Sequence, residues 1–424
     1  MRSNNPFRFT VFLFAMLVVA PWMPAQEWTR FRGPNGTGVS DDPTIPVQWT
    51  EKDYCWKAEL PGVGHSSPVV WGDRVFLLSG DPDKATRYVL CYRATDGKLL
   101  WSKTFASQTH RLHVRSSYAS STPTVDADRV YVAWGTPGNV TLKAFDHEGG
   151  EVWSRDLGRW VGQHGFGTSP ILYENMVILH NSQQADQLDP GDQPGQSTML
   201  ALDRRTGEDV WQTPLKTIRV CYSVPFFRKS SDGSTEMVCT STGAGVFGLD
   251  PLTGRMKWSI DVFKMRVVNS PIEAAGLIFT SNGSGGYSSN FAIAVKPGPD
   301  PQLAYTLKNS STFKAPYVTC LLPMDRWVFA IYDRGYVSCI DAATGEVQWL
   351  ERIRAAFNAS PVRVRDKIYC MDEEGTVWVL AANPEKLRVL AKNPLGEPSR
   401  STPAISEGRM FLRTYSHLIC VSGK

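Results

Sequence analysis

The sequence predicts an all-β protein, an eight-bladed β-propeller built from four-stranded antiparallel blades. Three features of the 424 residues support this fold: a recurring turn that ends in tryptophan, a proline that opens each repeat, and the lack of a long amphipathic helical pattern. A helix would place apolar residues at i, i+3, i+4 and i+7 over three turns, and no stretch does so convincingly. Hydrophobic residues make up 42% of the chain, which is enough for a large core.

The recurring turn is clearest between residues 336 and 349, where Asp341 and Gly345 precede Trp349. Aspartate bonds to its own backbone two residues on, and glycine accepts a positive φ, so the motif predicts a β-hairpin. Further copies contain Asp203, Gly207 and Trp211; Asp250, Gly254 and Trp258; and, more loosely, Trp101 and Trp153. Repetition of this kind indicates a repeat protein.

A small residue followed by proline marks the start of each unit. Proline has no amide hydrogen to donate and is tolerated at the first residue of a strand. The eight prolines are 68, 123, 170, 225, 271, 316, 361 and 403. Each is followed by three further predicted strands, and four short strands per ~45 residues are typical of a propeller blade.

The eighth unit ends after three strands, and the missing strand lies near the start of the chain, at residues 54–57 with Trp56. Pairing these two segments would close the ring and leave no open edge. In that register Cys55 lies nearly opposite Cys420. A disulfide between them and two packed free thiols are both open possibilities.

The first 25 residues resemble a secretory signal peptide, with Arg2 and Arg8 before an apolar run from Phe9 to Ala20. Twelve apolar residues are too few for the ~20 of a spanning helix, so we expect cleavage and no transmembrane span afterwards. Residues 26–48 are predicted to form an arm laid on the ring, held by Trp28 and Phe31. Residues 49–424 are predicted to form the propeller.

Composition excludes several classes of function. The formal net charge is +4 and falls to +2 without the two signal arginines, and no basic cluster with interleaved aromatics occurs, so we expect no nucleic-acid binding. None of the eight cysteines forms a Cys-x-x-Cys pair, which excludes zinc ribbons, thioredoxin motifs and c-type haem sites. The stretch from Gly243 to Gly248 fits G-x-G-x-x-G, but a strand follows it where a dinucleotide site requires a helix.

Polar residues in the segments that run into the proline markers are the candidate ligand site, on one rim or in the central channel. Together they could line a pocket for a polar or anionic ligand, and scattered solvated side chains are the alternative. The candidates are His65, His110, His113, Arg115, His164, Tyr222, Asn269, Lys314, Asn358 and Arg400. No catalytic or metal-binding residue is predicted among them.

Given its Asp-Gly-Trp repeats, export signal and eight units, the chain resembles the PQQ-like β-propeller superfamily over residues 50–424. This superfamily includes quinoprotein dehydrogenases and the outer-membrane assembly protein BamB. Residues 28–38 look like the start of a large group of secreted bacterial propellers. The dehydrogenases carry a vicinal cysteine pair and insertions with calcium ligands, which this chain lacks. BamB-type members lack the cofactor and are lipoproteins, and this chain has no lipidation cysteine.

The resemblance favours an exported, monomeric, non-catalytic scaffold that binds a protein or polymer of the cell envelope, in the periplasm or outside the cell. The alternative is a PQQ-dependent dehydrogenase of alcohols or sugars. A scaffold predicts a wide, unspecialised channel and an exposed apolar patch on one face. A dehydrogenase predicts bound PQQ, a carboxylate-rich calcium site and an aromatic stacking floor in the channel.

Overall fold

In a computed structural model, the chain forms eight four-stranded antiparallel blades of a propeller, one of which is extended by a short fifth strand that pairs in parallel, and this confirms the predicted fold. The structure describes residue 1 and residues 27–286 and 288–423, so the predicted signal peptide lies outside the described residues. Among the described residues, two short 3-10 helices are present, Pro34–Gly36 and Glu51–Asp53. None of the described helices is both long and apolar enough to cross a membrane.

The strands follow the chain from the innermost to the outermost position of each blade. Blades 1 to 4 consist of Val69–Trp71, Arg74–Gly80, Arg87–Arg93 and Leu99–Phe105; Thr124–Val125, Arg129–Gly135, Val140–Asp146 and Glu151–Asp156; Ile171–Tyr173, Met176–Asn181, Ser197–Asp203 and Asp209–Leu215; and Phe226–Lys229, Thr235–Ser241, Gly245–Leu249 and Met256–Ile260. Blades 5 to 7 consist of Ile272–Ala274, Leu277–Asn282, Phe291–Lys296 and Gln302–Lys308; Leu322–Met324, Trp327–Ile331, Tyr336–Asp341 and Val347–Arg352; and Val362–Val364, Lys367–Met371, Thr376–Ala381 and Val389–Pro394.

Blade 8 is closed by the N-terminal strand, as predicted. It consists of Ala404–Ser406, Arg409–Arg413, His417–Ser422 and Tyr54–Glu59. Trp56, rather than Cys55, pairs with Cys420, and a bulge between Tyr54 and Trp56 leaves Cys55 exposed while Cys420 is buried. Of the two possibilities, the structure shows free thiols that lie beside each other.

The repeated tryptophans join each blade to the next. The rings of Trp56, Trp101, Trp153 and Trp211 pack on the glycine in the following blade's turn: a Cβ on Gly97 would lie 2.5 Å from Trp56, and one on Gly207 would lie 2.8 Å from Trp153. The indole N–H of Trp56 also donates to the carbonyl of Ala94 in that turn, at 2.9 Å. These positions need glycine because any side chain would collide with the ring.

Blades that lack this tryptophan use other residues in its place. In blade 5 the ring of Tyr305 packs against Gly345, and its hydroxyl donates to Ala342 O at 2.7 Å. Beside blade 7, Trp49 is buried, and its amide donates to Asn393 Oδ1 at 2.9 Å. Trp258 departs from the pattern, because its indole N–H donates to Glu236 of its own blade, at 3.0 Å.

The small residue before each proline belongs to a ring of hydrogen bonds around the channel. At each link, a backbone N–H in one blade donates to the side chain of the corresponding residue in the next. The links run from Ser67 to Thr122, Thr122 to Ser169, Val224 to Ser270, Ser270 to Cys320, Cys320 to Ser360, Ser360 to Thr402 and Thr402 to Ser67, at 2.9–3.2 Å. One link is missing, because Val224 has no hydroxyl to accept from Ser169.

This ring corrects the predicted start of unit six. The marker there was placed at Ala315 and Pro316, but the inner strand is Leu322–Met324, and Cys320 occupies the ring. Leu321 therefore stands where the other blades have proline. The proline pattern misled the prediction because the ring requires a side-chain acceptor at this position, which the Cys320 thiol provides.

Completing the ring is expected to stabilise the protein. Val224→Thr would offer Oγ1 to the amide of Ser169 and should add about 0.5–1.5 kcal/mol to the free energy of unfolding. Val268→Thr, at another cavity-lining position outside the ring, should change it by less than about 0.5 kcal/mol. Urea unfolding of both variants measures the difference, and a Val224→Thr protein no more stable than wild type would contradict the expectation.

Residues 27–49 cross the ring on the side where the inner strands end. Thr29 O accepts from Val125 in blade 2, and the guanidinium of Arg32 donates to Leu321 O in blade 6 at 2.8 Å, so the segment spans opposite blades. Val39 and Ser40 then pair in parallel with the inner strand of blade 7. Trp28 and Arg32 are fully buried. This segment, called the arm below, closes one end of the channel.

Candidate functional site

The candidate site is a cavity of about 260 Å³ in the central channel, with Phe31 of the arm among its lining residues. The residue three positions before each proline, or before Leu321 in blade 6, contributes one layer of its wall. This layer consists of His65, Ser120, Gly167, Tyr222, Val268, Val318, Asn358 and Arg400. The residues of the hydrogen-bonded ring form a second layer, and Ser116, His113, Arg115, His164 and Tyr317 complete the lining at the rim.

Seven of the ten candidate residues from the sequence line this one cavity. They are His65, His113, Arg115, His164, Tyr222, Asn358 and Arg400. They come from six different blades and their loops, and the offset of three residues from the strand start brings four of them into one layer. The channel is therefore more specialised than the sequence led us to expect of a scaffold.

The other three candidates lie outside the cavity. His110 packs edge-on against Tyr118, with ring centroids 5.0 Å apart, and lines a separate small crevice. Asn269 is fully buried, and its Oδ1 accepts from Thr280 Oγ1 at 3.0 Å and from the amide of Ser281 at 3.2 Å. Lys314 lies over the ring of Tyr336, at 5.8 Å.

Two imidazoles and several guanidinium groups meet at the rim. The rings of His113 and His164 are 4.8 Å apart, and His113 Nδ1 accepts from the amide of Arg115 at 3.2 Å. Arg400 donates to Val114 O at 3.1 Å, and its guanidinium lies 3.4 Å from Glu373 Oε2. Arg115 lies 3.8 Å from the other oxygen of Glu373, so a single carboxylate is shared by two cations.

The surroundings of the three cavity histidines favour their neutral form. Burial, followed by the charges of Arg400 and Arg413, lowers the pKa of His65 to about 3. Burial, and then Arg266 and His113, lower the pKa of His164 to about 4. Burial, together with three arginines, also lowers the pKa of His113. At neutral pH the guanidinium groups therefore provide the positive charge of the site.

Sequence reasoning missed four residues that shape this charge. Arg266 is buried, with its Nε donating to Val220 O at 2.9 Å and one Nη to Gln184 Oε1 at 3.1 Å. Glu373 partners the rim arginines, and Tyr317 lines the cavity. The carboxylate of Asp333 accepts from the amides of Tyr317 and Val318 at 2.7 and 2.8 Å, and burial raises its pKa to about 6. These residues follow no shared sequence pattern.

The residues around the channel do not fit a calcium-bound quinone. Calcium takes six to eight oxygen ligands, several of them carboxylates. Here Glu373 is held by two arginines, and Asp333 is buried against two backbone amides. Within residues 27–286 and 288–423, no group of three or more His, Cys, Asp and Glu side chains could hold a metal ion. Cys320 is the single cysteine in the cavity lining, so the lining supplies no vicinal pair.

The exposed apolar side chains do not form the patch expected of a scaffold on one face. Apart from Val114 at the rim, the large exposed hydrophobics of the described propeller lie on outer strands or their turns in six blades. They are Leu99, Val152, Val210, Leu252, Met256, Leu303, Val389 and Leu390. The cavity is thus the more specific candidate for binding.

A family profile described as outer membrane protein assembly factor BamB matches residues 85–296 and 321–390. The structure is similar to that of BamB from Moraxella catarrhalis, with a TM-score of 0.56 and 16% identity over 87% of this chain and 98% of that one. It is also similar to the quinohemoprotein alcohol dehydrogenase from Comamonas testosteroni, with a TM-score of 0.54 and 14% identity over 94% of this chain and 81% of that one. The computationally designed Ika8 protein is similar as well, with a TM-score of 0.60 and 14% identity over 87% of this chain and 99% of that one. No curated protein sequence matches the chain.

Proposed function

The chain belongs to the family of the outer membrane protein assembly factor BamB, and we propose that it is an exported, non-catalytic binding propeller whose ligand site is the channel cavity. One observation carries this proposal: basic and hydroxyl side chains from many blades converge on one cavity in which the nearby carboxylates are already engaged. Such a cavity binds a polar ligand by charge and hydrogen bonds. The two nearby carboxylates described, Glu373 and Asp333, are paired with rim arginines and with backbone amides, respectively.

The cavity size limits what can enter. Small-molecule sites usually measure about 300–1,000 Å³, so about 260 Å³ suits a small metabolite or one acidic group of a larger partner. Because the arm closes the other end, the ligand enters from the rim that carries His113 and His164. We therefore propose that the propeller is a monomer and that a protein or polymer of the envelope docks on this face. The family description, which names an outer membrane assembly factor, supports an envelope location, and export would use residues 1–25.

Addition of PQQ and calcium is expected to leave the melting temperature of the protein unchanged. A ligand that binds only the folded state at 100 times its Kd would add about 2.7 kcal/mol of stability and visibly raise the midpoint. The melt is recorded with PQQ alone, with calcium alone and with both, and the desalted sample is then checked for quinone absorbance. A raised midpoint with retained quinone, followed by reduction of a dye by alcohols or sugars, would replace this proposal with a dehydrogenase.

A further inference from the structure

We propose that the cavity binds a small oxyanion with two negative charges, a phosphate or a dicarboxylate, and takes up protons on His113 and His164 as it does so. This inference rests on the proposed function, since it names the ligand class of the same cavity. The grounds are the arrangement of charges at the rim, the unused donors in the wall and the closed end of the channel.

The first ground is the balance of charge. Arg115, Arg266 and Arg400 surround the rim, and the carboxylates near them are Glu373 and Asp333. Three guanidinium groups facing two carboxylates leave one positive charge in excess. Arginine presents a planar set of donors that matches carboxylate and phosphate oxygens in pairs. A bound oxyanion would therefore neutralise the positive charge that the two carboxylates leave unbalanced.

The second ground is the supply of hydrogen-bond donors without partners. Asn358 Nδ2 and Arg400 Nε are buried and have no hydrogen-bond partner among the described residues. Both side chains belong to the layer three residues before the strand starts. An unmade hydrogen bond of a buried donor is unfavourable, so a ligand that brings acceptor oxygens would recover part of that cost. The hydroxyls of Thr122 and Ser360 in the same wall accept bonds from backbone amides and can donate as well.

The third ground is the pair of imidazoles, which can supply the charge that a dianion still lacks. His113 faces Arg115, Arg266 and Arg400, and its ring contacts His164. His164 faces Arg266, His113 and the more distant Arg111. Burial, followed by these cations, lowers the pKa of both rings, so both are neutral near pH 7 in the free protein. A bound dianion between them reverses the local field and favours the imidazolium form of each.

The sign of the pH dependence follows from this arrangement. Because the anion raises the imidazole pKa values, binding takes up protons at pH values between those of the free and the bound protein. The affinity for the fully ionised form of the ligand should therefore increase as the pH falls from 8 towards 5. It should level off near the low pKa of free His164, about 4. In a site built from arginine alone, binding of that form would involve no proton uptake by the protein.

Titration calorimetry tests the inference, with inorganic phosphate and succinate as separate probes at fixed ionic strength. We expect binding of at least one probe. With succinate at pH 7, where this probe is fully ionised, the heat should vary with the ionisation enthalpy of the buffer. Arg400→Gln or Arg115→Gln should weaken binding about tenfold or more, the equivalent of about 1.4 kcal/mol. Arg93→Gln, which removes an arginine paired with Asp73 and Asp96 in blade 1, should have no effect.

The outcomes separate the two proposals. Saturable binding that is weakened by Arg400→Gln or Arg115→Gln, with buffer-dependent heat that is lost in a His113→Gln, His164→Gln double variant, supports the inference. Binding of phosphate alone or of succinate alone identifies the geometry of the oxyanion. No binding of either probe at millimolar concentration would overturn it, as would binding that is unaffected in the arginine variants. Retention of PQQ would instead overturn the proposed function.

Discussion

Arg413→Met is expected to lower the free energy of unfolding by about 3 kcal/mol. Arg413 has no exposed surface and lies on the second strand of blade 8, where it reaches across to blade 1. One of its terminal nitrogens donates to Ser66 O at 3.1 Å and to Leu78 O, and the other donates to Ser79 Oγ at 3.2 Å. Methionine has a similar length but no donor, so it leaves buried acceptors without partners.

The size of this effect reflects the position of Arg413 at the point where the ring closes. The three C-terminal strands of blade 8 are far from blade 1 in sequence, and besides this guanidinium the contacts that join them to blade 1 include the hydrogen bonds from Thr402 N to Ser67 Oγ and from Ser401 Oγ to Ser66 O. Gly64 lacks a Cβ because one would lie 2.7 Å from the Arg413 guanidinium. Weakening this seam opens a closed ring, which otherwise has no free edge.

Urea and thermal unfolding, followed by tryptophan fluorescence, measure the loss. Arg409→Met is the matched control, because Arg409 belongs to the same strand but is partly exposed and pairs with Glu407 alone, at 3.6 Å. Exposed ion pairs contribute little, so the control should differ from wild type by less than about 0.5 kcal/mol. An Arg413→Met protein as stable as the control would show that the seam does not depend on this side chain.

The number of blades and the closure of the ring could be predicted because both follow from short sequence patterns that recur along the chain. The Asp-Gly turn, the tryptophan and the proline each mark one position per blade, and the structure explains each of them by a contact between neighbouring blades. The prediction failed at unit six, where the true ring residue is Cys320 and the strand follows Leu321. Neither residue resembles the pattern, although the thiol accepts the same bond as a hydroxyl.

That single error also accounts for one misplaced candidate in the site. Lys314 lies in the segment that runs into Pro316, whereas the wall residue of blade 6 is Val318, three residues before Leu321. Asn269 failed for another reason: it lies two residues before its proline rather than three, and it turns towards Thr280 and Ser281. A shift of one residue along the chain thus decides whether a side chain points into the channel or away from it. The sequence alone does not show which position points inward.

Arg266 and Glu373 could not have been found from sequence at all. They come from the segment between blades 4 and 5 and from blade 7, and they affect the site only because the ring brings these parts together. Their effect is electrostatic: Arg266 lowers the pKa of His113 and His164, and Glu373 offsets the rim arginines. Charge balance in a cavity of this kind depends on the whole ring.

Trp28→Ala is expected to release the arm and to reduce stability by about 4 kcal/mol. A buried tryptophan removes about 150–250 Å² from water, and at about 25 cal/mol per Å² this corresponds to roughly 4–6 kcal/mol. The Trp28 ring lies in a core with Ile45 and Val70, and a Cβ on Gly33 would be 2.4 Å from it. Trp28 and Trp49 are the two buried tryptophans of the arm, and Trp28 is the one with no exposed surface.

Limited digestion with trypsin distinguishes release of the arm from a loss of stability spread over the whole ring. Arg30 and Arg32 are 5% and 0% exposed in the docked arm, so wild-type protein should not be cut after them. In Trp28→Ala we expect new N-termini at Phe31 and Gly33 before the blades are digested. Leu99→Ala, which shortens a side chain that is already 45% exposed, should give neither the new termini nor a lower unfolding midpoint.

The same variant connects the arm to the cavity. Phe31 reaches the cavity from the arm, so a released arm would open the closed end of the channel to water. Water in the channel weakens every charge interaction there, because the local dielectric rises. Oxyanion binding should then fall in Trp28→Ala although every basic side chain of the rim is still present. Unchanged binding together with cleavage at Arg30 and Arg32 would contradict this coupling and would confine the arm's role to stability.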